Sequence, residues 1–281
     1  MQKESFIRQK TFYCGGNKNS KANRIEVELY PTTDKRQKRR GKKTKLSCPA
    51  QKKLNNKNSK RYFRLLFKSN FVDGDLMATL TYSPAEMPES VAEGNKQLDN
   101  FVRRAKRLAA KKREENPALP EFKFISVTEE SSKAHKIHHH VVINQCGLSR
   151  EEIEALWTKP KRKGQEPQPI GLTNVIGLKL KAAEMVERIT EYLTKDPKGR
   201  RMWKASRNLV KPTVSTSDSA CTKSKFNKLT RLPDDCEELK QHFETARPGY
   251  RVTAIKKEYN EMTGLFAFRV QMELKPPHPS N

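Results

Sequence analysis

Four of the six histidines fall within six residues, in Ala134-His135-Lys136-Ile137-His138-His139-His140-Val141-Val142-Ile143. The β-branched residues that close this stretch make it a strand. Side chains on a strand alternate between faces, so His138 and His140 project together. Ile137, His139, Val141 and Ile143 take the other, mostly apolar, face. Two imidazoles side by side on a sheet are half of a metal site. The missing acid is near, because Glu129 and Glu130 end the preceding strand-like run. Parity groups Glu130 with Ser126 and Thr128, and Glu129 with Ile125 and Val127. Which of them faces the histidines depends on register and is open from parity alone. Two histidines and one carboxylate with open positions suit a divalent ion that accepts a substrate oxygen. A His-rich tract also binds stray metal without any role, so the cluster needs a second element.

That element is the helical pattern over 182–195. Met185, Arg188, Tyr192 and Lys195 are spaced three, four and three apart and share a face, with Val186, Ile189 and Leu193 on the adjacent stripe. Tyr192 is thereby expected beside two cations, which favour phenolate. A free phenol, with a pKa near ~10, is otherwise a poor nucleophile at neutral pH. Taken alone, the same tyrosine reads as an amphipathic residue at a helix–sheet boundary.

Strands are expected at 75–82, 122–128, 136–144 and 172–178, and helices at 90–113, 149–157 and 182–195. Ser149 and Glu152 have capping-box spacing. This order predicts an α+β fold with a central antiparallel sheet and flanking helices, of split βαβ type. Residues 1–68 read as a basic N-terminal arm with one short strand over 24–30 and the run Lys35-Arg36-Gln37-Lys38-Arg39-Arg40-Gly41-Lys42-Lys43-Thr44-Lys45. Residues 69–215 read as the domain that carries the chemistry. Residues 216–281 read as a C-terminal extension ending in a hairpin, 250–259 with 265–274.

The 281 residues carry 58 Lys+Arg against 32 Asp+Glu, a net charge of +26. Such an excess calls for a polyanionic partner, with nucleic acid ahead of anionic lipid. No long apolar run argues for a membrane, and no signal peptide opens the chain. Five scattered cysteines without a CxxC pair argue for a reducing cytosol and against both a disulfide framework and a zinc ribbon. Arg103, Arg104 and Arg107 on the first long helix are expected to grip DNA, although a solubilising helix face has the same composition.

Three motifs, in this order, carry a resemblance: Thr79-Leu80-Thr81-Tyr82; Val127-Thr128-Glu129 with His138-His139-His140-Val141-Val142-Ile143; and Tyr192-Leu193-Thr194-Lys195. Over about residues 70–215 the chain resembles the HUH endonucleases. Within them it looks like the rolling-circle replication initiators of plasmids and phages, in the group that includes the filamentous-phage gene II type proteins. Trp203-Lys204-Ala205-Ser206-Arg207-Asn208-Leu209-Val210-Lys211-Pro212 is similar to a segment that follows the nucleophile in relatives from Gram-positive hosts. The resemblance implies that residues 69–215 are an HUH endonuclease domain. His138, His140 and Glu129 would bind Mg²⁺ or Mn²⁺. Tyr192 would attack a phosphate of a single-stranded DNA origin and become linked to its 5′ end, freeing a 3′ hydroxyl. Lys195 would orient the phosphate, Arg188 would contact DNA, and a host helicase and DNA polymerase would be partners. The middle position of the histidine motif, normally hydrophobic, is His139 here. Only one tyrosine occupies the nucleophile motif. Rival readings are a single-strand transposase with the same chemistry and a non-catalytic basic binder.

Overall fold

The computed structural model describes residues 5–16, 22–33, 49–131, 136–159, 166–180, 183–194, 203–234, 236–260 and 264–276. His135, Lys195, the basic run 35–45 and residues 262–263 of the expected hairpin turn lie outside the described residues. The elements begin β1 (Ser5–Cys14), β2 (Arg24–Thr33), α1 (Pro49–Asn70), β3 (Leu76–Thr81), α2 (Val91–Glu115), β4 (Phe124–Ser131) and β5 (Lys136–Ile143). They continue α3 (Arg150–Glu154), β6 (Thr173–Gly177), α4 (Ala183–Leu193), β7 (Lys204–Ala205) and β8 (Thr213–Ser217). The last are α5 (Lys223–Arg231), α6 (Glu237–Thr245), β9 (Tyr250–Asn260) and β10 (Leu265–Leu274). The fold is α+β, as expected, with two five-stranded antiparallel sheets among the described residues. The chain separates into one unit of Met1–Asn58 with Val210–Asn281 and another of Ser59–Leu209, the division falling inside α1.

In the first unit the strand order is β8-β1-β2-β10-β9. Ile25, Val27 and Leu29 of β2 and Phe268, Val270 and Met272 of β10 form a core with Phe226 and Leu229 of α5 and Leu239 and Phe243 of α6. This differs from a basic arm joined to a separate C-terminal extension. Ser5–Cys14 is a full strand, and Val27 pairs with Val270 from the far end of the chain. The local pattern of β1, Ser5-Phe6-Ile7-Arg8-Gln9-Lys10, is too polar to announce a strand; its partner makes it one. The helix α1 was not expected either. Its first half is Lys- and Asn-rich, a composition of modest helix propensity, and only Phe63, Leu66 and Phe67 reveal a buried face.

The second unit holds the sheet β6-β3-β5-β4-β7. On one face α2 packs through Leu98, Phe101, Ala105 and Ala109 against Ala78, Leu80, Ile137 and Val141. Ser90 caps this helix by accepting from the Glu93 amide. Gly94 lets the helix approach the sheet, since a Cβ there would lie 3.3 Å from both Ile137 Cγ2 and the Tyr82 hydroxyl. On the other face Phe63 and Phe67 of α1, Phe71 just after it, and Val186 and Leu193 of α4 cover Ile125, Val127 and Val142. The Ser149–Glu152 capping box opens α3 as the spacing predicts. The sheet is therefore covered on both sides, and each strand sends alternate side chains to different layers.

Candidate metal centre

Strand β5 lies between β3 and β4, and their registers decide which side chains meet. His140 stands opposite Thr79 and Val127, and His138 opposite Thr81 and Glu129. Opposed residues of antiparallel strands share a face. Glu129 is therefore the carboxylate beside the histidines, while Glu130 pairs with Ile137 on the other face. Glu129 Oε2 lies 3.2 Å from His138 Nε2. The two imidazole rings are nearly perpendicular, with centroids 5.1 Å apart. One ligand atom from each of Glu129, His138 and His140 lies within 4.8 Å of the others. Glu129 Oε1 is buried and has no hydrogen-bond partner among the described residues. A buried carboxylate oxygen without a donor is costly unless a cation answers it. The donor set, one carboxylate and two imidazoles, fits a divalent ion.

Thr79 Oγ1 lies 3.1 Å from His140 Nδ1. A bond from Nδ1–H to that hydroxyl leaves the Nε2 lone pair facing the centre, the usual support for a ligating histidine. Burial pushes the His140 imidazole down to about 4, against the opposing pull of the Glu129 carboxylate. It is neutral at physiological pH, the form that can ligate.

Tyr192 ends α4 with its ring 5.2 Å from that of His140 and its hydroxyl 3.4 Å from His140 Nε2. It is 51% exposed, so a large substrate can reach it. Of the two cations expected to ease the phenol, Lys195 lies outside the described residues, and the described groups act the other way. Burial and the Glu129 carboxylate push the Tyr192 phenol above its ordinary value. Among the described residues its neighbours include a carboxylate and a neutral imidazole, neither of which favours phenolate. Arg188 is exposed on the same helix.

His139 points into the opposite layer, fully buried. Its Nε2 is 2.7 Å from the Tyr82 hydroxyl and its Nδ1 is 2.8 Å from Thr128 Oγ1. Burial, with the neighbouring His138, Lys204 and His140, pushes it down to about 3. It is a polar bolt between β3 and β4, and the ligand group does not include it.

The helix α2 packs on this His139 side of the sheet, away from the centre. Arg103, Arg104 and Arg107 are thus not brought to Glu129, His138 and His140. Arg104 donates to the Thr158 carbonyl at 2.6 Å, Arg103 bonds Asn100, and Arg107 is exposed. Sequence reasoning missed the support from Thr79, although its strand motif was visible. It also missed Glu187 of α4, which pairs with Arg64 at 3.2 Å and Lys68 at 2.9 Å. Only the three- and four-residue spacing of charges within each helix hinted at a packed ionic face.

An antiparallel sheet thus gathers two imidazoles, one carboxylate and an adjoining phenol into a candidate metal centre. Residues 75–197 match the family model of replication-associated proteins of the ORF2 and phage gene II protein type. That stretch runs from β3 to just past α4, so it contains every residue of the centre. It agrees with the resemblance to the phage gene II-like group. No curated protein and no solved structure matches the chain. Among the described residues no helix is long and apolar enough to cross a membrane.

Proposed function

We propose that this chain is a metal-dependent nickase of single-stranded DNA that starts rolling-circle replication. The observation that carries the reading is the Tyr192 hydroxyl, exposed and 3.4 Å from His140 in the Glu129–His138–His140 group. Glu129, His138 and His140 would hold Mg²⁺ or Mn²⁺, which when bound polarises a phosphate oxygen and draws charge from the attacking and leaving oxygens. The Tyr192 oxygen attacks the scissile phosphorus and the bond from phosphorus to the 3′ oxygen breaks. The phenol gives up its proton, and the released 3′ oxygen takes one up. The products are a 5′-phosphotyrosyl end and a free 3′ hydroxyl for a polymerase to extend. One ester replaces another, so the phosphodiester energy is kept and the step can run backwards to rejoin the strand. Thr79 orients His140 through Nδ1, and His139 holds the strands that carry the centre. Lys195, by resemblance, orients the phosphate, and Arg188 is placed on the same helix to contact the DNA.

The net charge of +26 supports a nucleic-acid partner. In this reading a host helicase would unwind the duplex and a host DNA polymerase would extend the freed end, in the cytoplasm. The test is covalent capture. Incubation with Mn²⁺ and an origin-containing single strand gives a protein–DNA adduct stable to denaturation, and Tyr192→Phe abolishes it. An adduct of undiminished yield in that variant refutes the nucleophile assignment. Binding without any adduct in the wild type leaves only a basic binding protein.

A further inference from the structure

The sheet that carries the centre ends on one side at β6, an edge strand. Its register against β3 sets Asn174 opposite Thr79 and Ile176 opposite Met77. Thr79 in turn stands opposite His140, and Met77 opposite Val142. Asn174 and Ile176 therefore share the face of Glu129, His138 and His140. Leu172, two residues before Asn174, continues the same parity. Two strand spacings, about 10 Å, separate this row from the histidines.

Burial along β6 alternates, and the exposed positions are those on the centre's face. Leu172 is 81% exposed, Ile176 is 43% exposed, and Asn174 is exposed between them. Val175, on the other face, is buried in the α2 layer. The exposed leucine is nevertheless rigidly mounted. Its carbonyl accepts from both the Thr81 amide and the Thr81 hydroxyl at 2.9 Å. The preceding Gly171 lies so close to β3 that a Cβ would come 2.1 Å from the Thr81 carbonyl oxygen. Backbone packed that closely on backbone leaves no room for a side chain. A fixed backbone that holds two aliphatic side chains and an amide in solvent is a contact surface. Isolated exposed leucines need no explanation, but a pinned row beside a ligand group does.

We infer that the Leu172–Asn174–Ile176 face of β6 binds and reads the bases beside the scissile phosphate. This rests on the nicking reading, since the occupant is the single strand whose phosphate sits at the centre. Unstacked bases present apolar faces and hydrogen-bonding edges, and Leu172 and Ile176 suit the former as Asn174 suits the latter. An asparagine amide pairs bidentately with adenine, so an adenine is the base expected against Asn174. The face is the specificity element of the site, and the centre itself is indifferent to sequence.

The experiment separates base reading from nicking by leaving out the metal. Full-length metal-free protein is used to select from a randomised single-stranded oligonucleotide pool at about 0.2 M salt, which suppresses phosphate-only binding. Wild type enriches a short motif containing an adenine. Asn174→Ala loses the preference at that one position and binds the selected motif about tenfold more weakly. Leu172→Ser binds it several-fold more weakly and keeps the preference. All three side chains are exposed, so circular dichroism and the melting temperature stay those of wild type. Failure of wild type to enrich any motif overturns the inference, as does an Asn174→Ala selection with the same motif and affinity. A protein that selects its motif yet never forms an adduct sinks the nicking reading alone.

Discussion

Breaking the ionic link between α1 and α4 is expected to cost both stability and the placement of Tyr192. Glu187 Oε1 lies 3.2 Å from Arg64 Nε and 2.9 Å from Lys68 Nζ, with side-chain exposures of 12%, 10% and 5% respectively. Water screens none of these charges well. At an effective dielectric near ~20, each contact is worth about 5 kcal/mol of gross attraction, most of which repays desolvation. Glu187→Gln removes a counter-charge shared by Arg64 and Lys68 while keeping the shape. The expected loss is about 3–5 kcal/mol, the range for breaking a buried pair from one side. For a unit of this size that lowers the melting temperature by about 6–20 °C. The assay is guanidinium unfolding of the full chain with tryptophan fluorescence, since Trp157 and Trp203 both lie in this unit. Replacing Arg64, Lys68 and Glu187 together by Leu, Met and Leu should recover most of the stability, because apolar packing avoids the desolvation cost. A Glu187→Gln loss below about 1 kcal/mol would refute the claim that this triad anchors the helix.

Two further outcomes concern the histidine strand and its neighbour. In metal-free protein, His139 is pushed down to about 3 in the fold against about 6.5 unfolded, so the unfolded chain binds the extra proton. Stability is full above pH ~6.5 and falls as pH drops towards ~3, by about 1.4 kcal/mol per unit; His140, pushed down to about 4, adds in the same direction. Urea unfolding between pH 7 and 5 measures the slope, and a flat profile would contradict it. Thr79→Val removes the hydroxyl on His140 Nδ1 and should weaken Mn²⁺ binding about 10–100-fold by calorimetry, with little change in fold.

The chemistry-bearing half of the chain was legible because its signals are local. The β3, α2, β4, β5 and α4 boundaries fall within a few residues of the expected ones, since alternation and helical spacing are properties of neighbours. The pair His138 and His140 followed from parity alone. Glu129 against Glu130 did not, because parity within β4 is silent about register with β5. The first unit was misread for the same reason on a larger scale. Ser5–Cys14 looks like a polar arm until β2 and β8 flank it, and β8 lies some two hundred residues away. Composition named the arginines of α2 as a DNA-gripping surface but was silent about which side of the sheet they occupy. The helix turns its apolar stripe to the His139 layer, and that fixes its basic face away from the centre.

The three consecutive histidines show how one strand does two unlike jobs. On one face His138 and His140 keep ligand atoms near a carboxylate whose second oxygen has no donor among the described residues. On the other, His139 is held by Tyr82 of the chain just after β3 and by Thr128 of β4. The Tyr82 hydroxyl also lies 3.3 Å from the Gly94 carbonyl of α2, where the missing side chain permits the approach. One buried imidazole thus ties β5 to both neighbouring strands and to the helix beneath them. A hydrophobic residue would fill the space but would make neither hydrogen bond, because packing is non-directional. The residue that departs from the resemblance is the one whose hydrogen bonds tie the ligand-bearing strand to its neighbours from the opposite face.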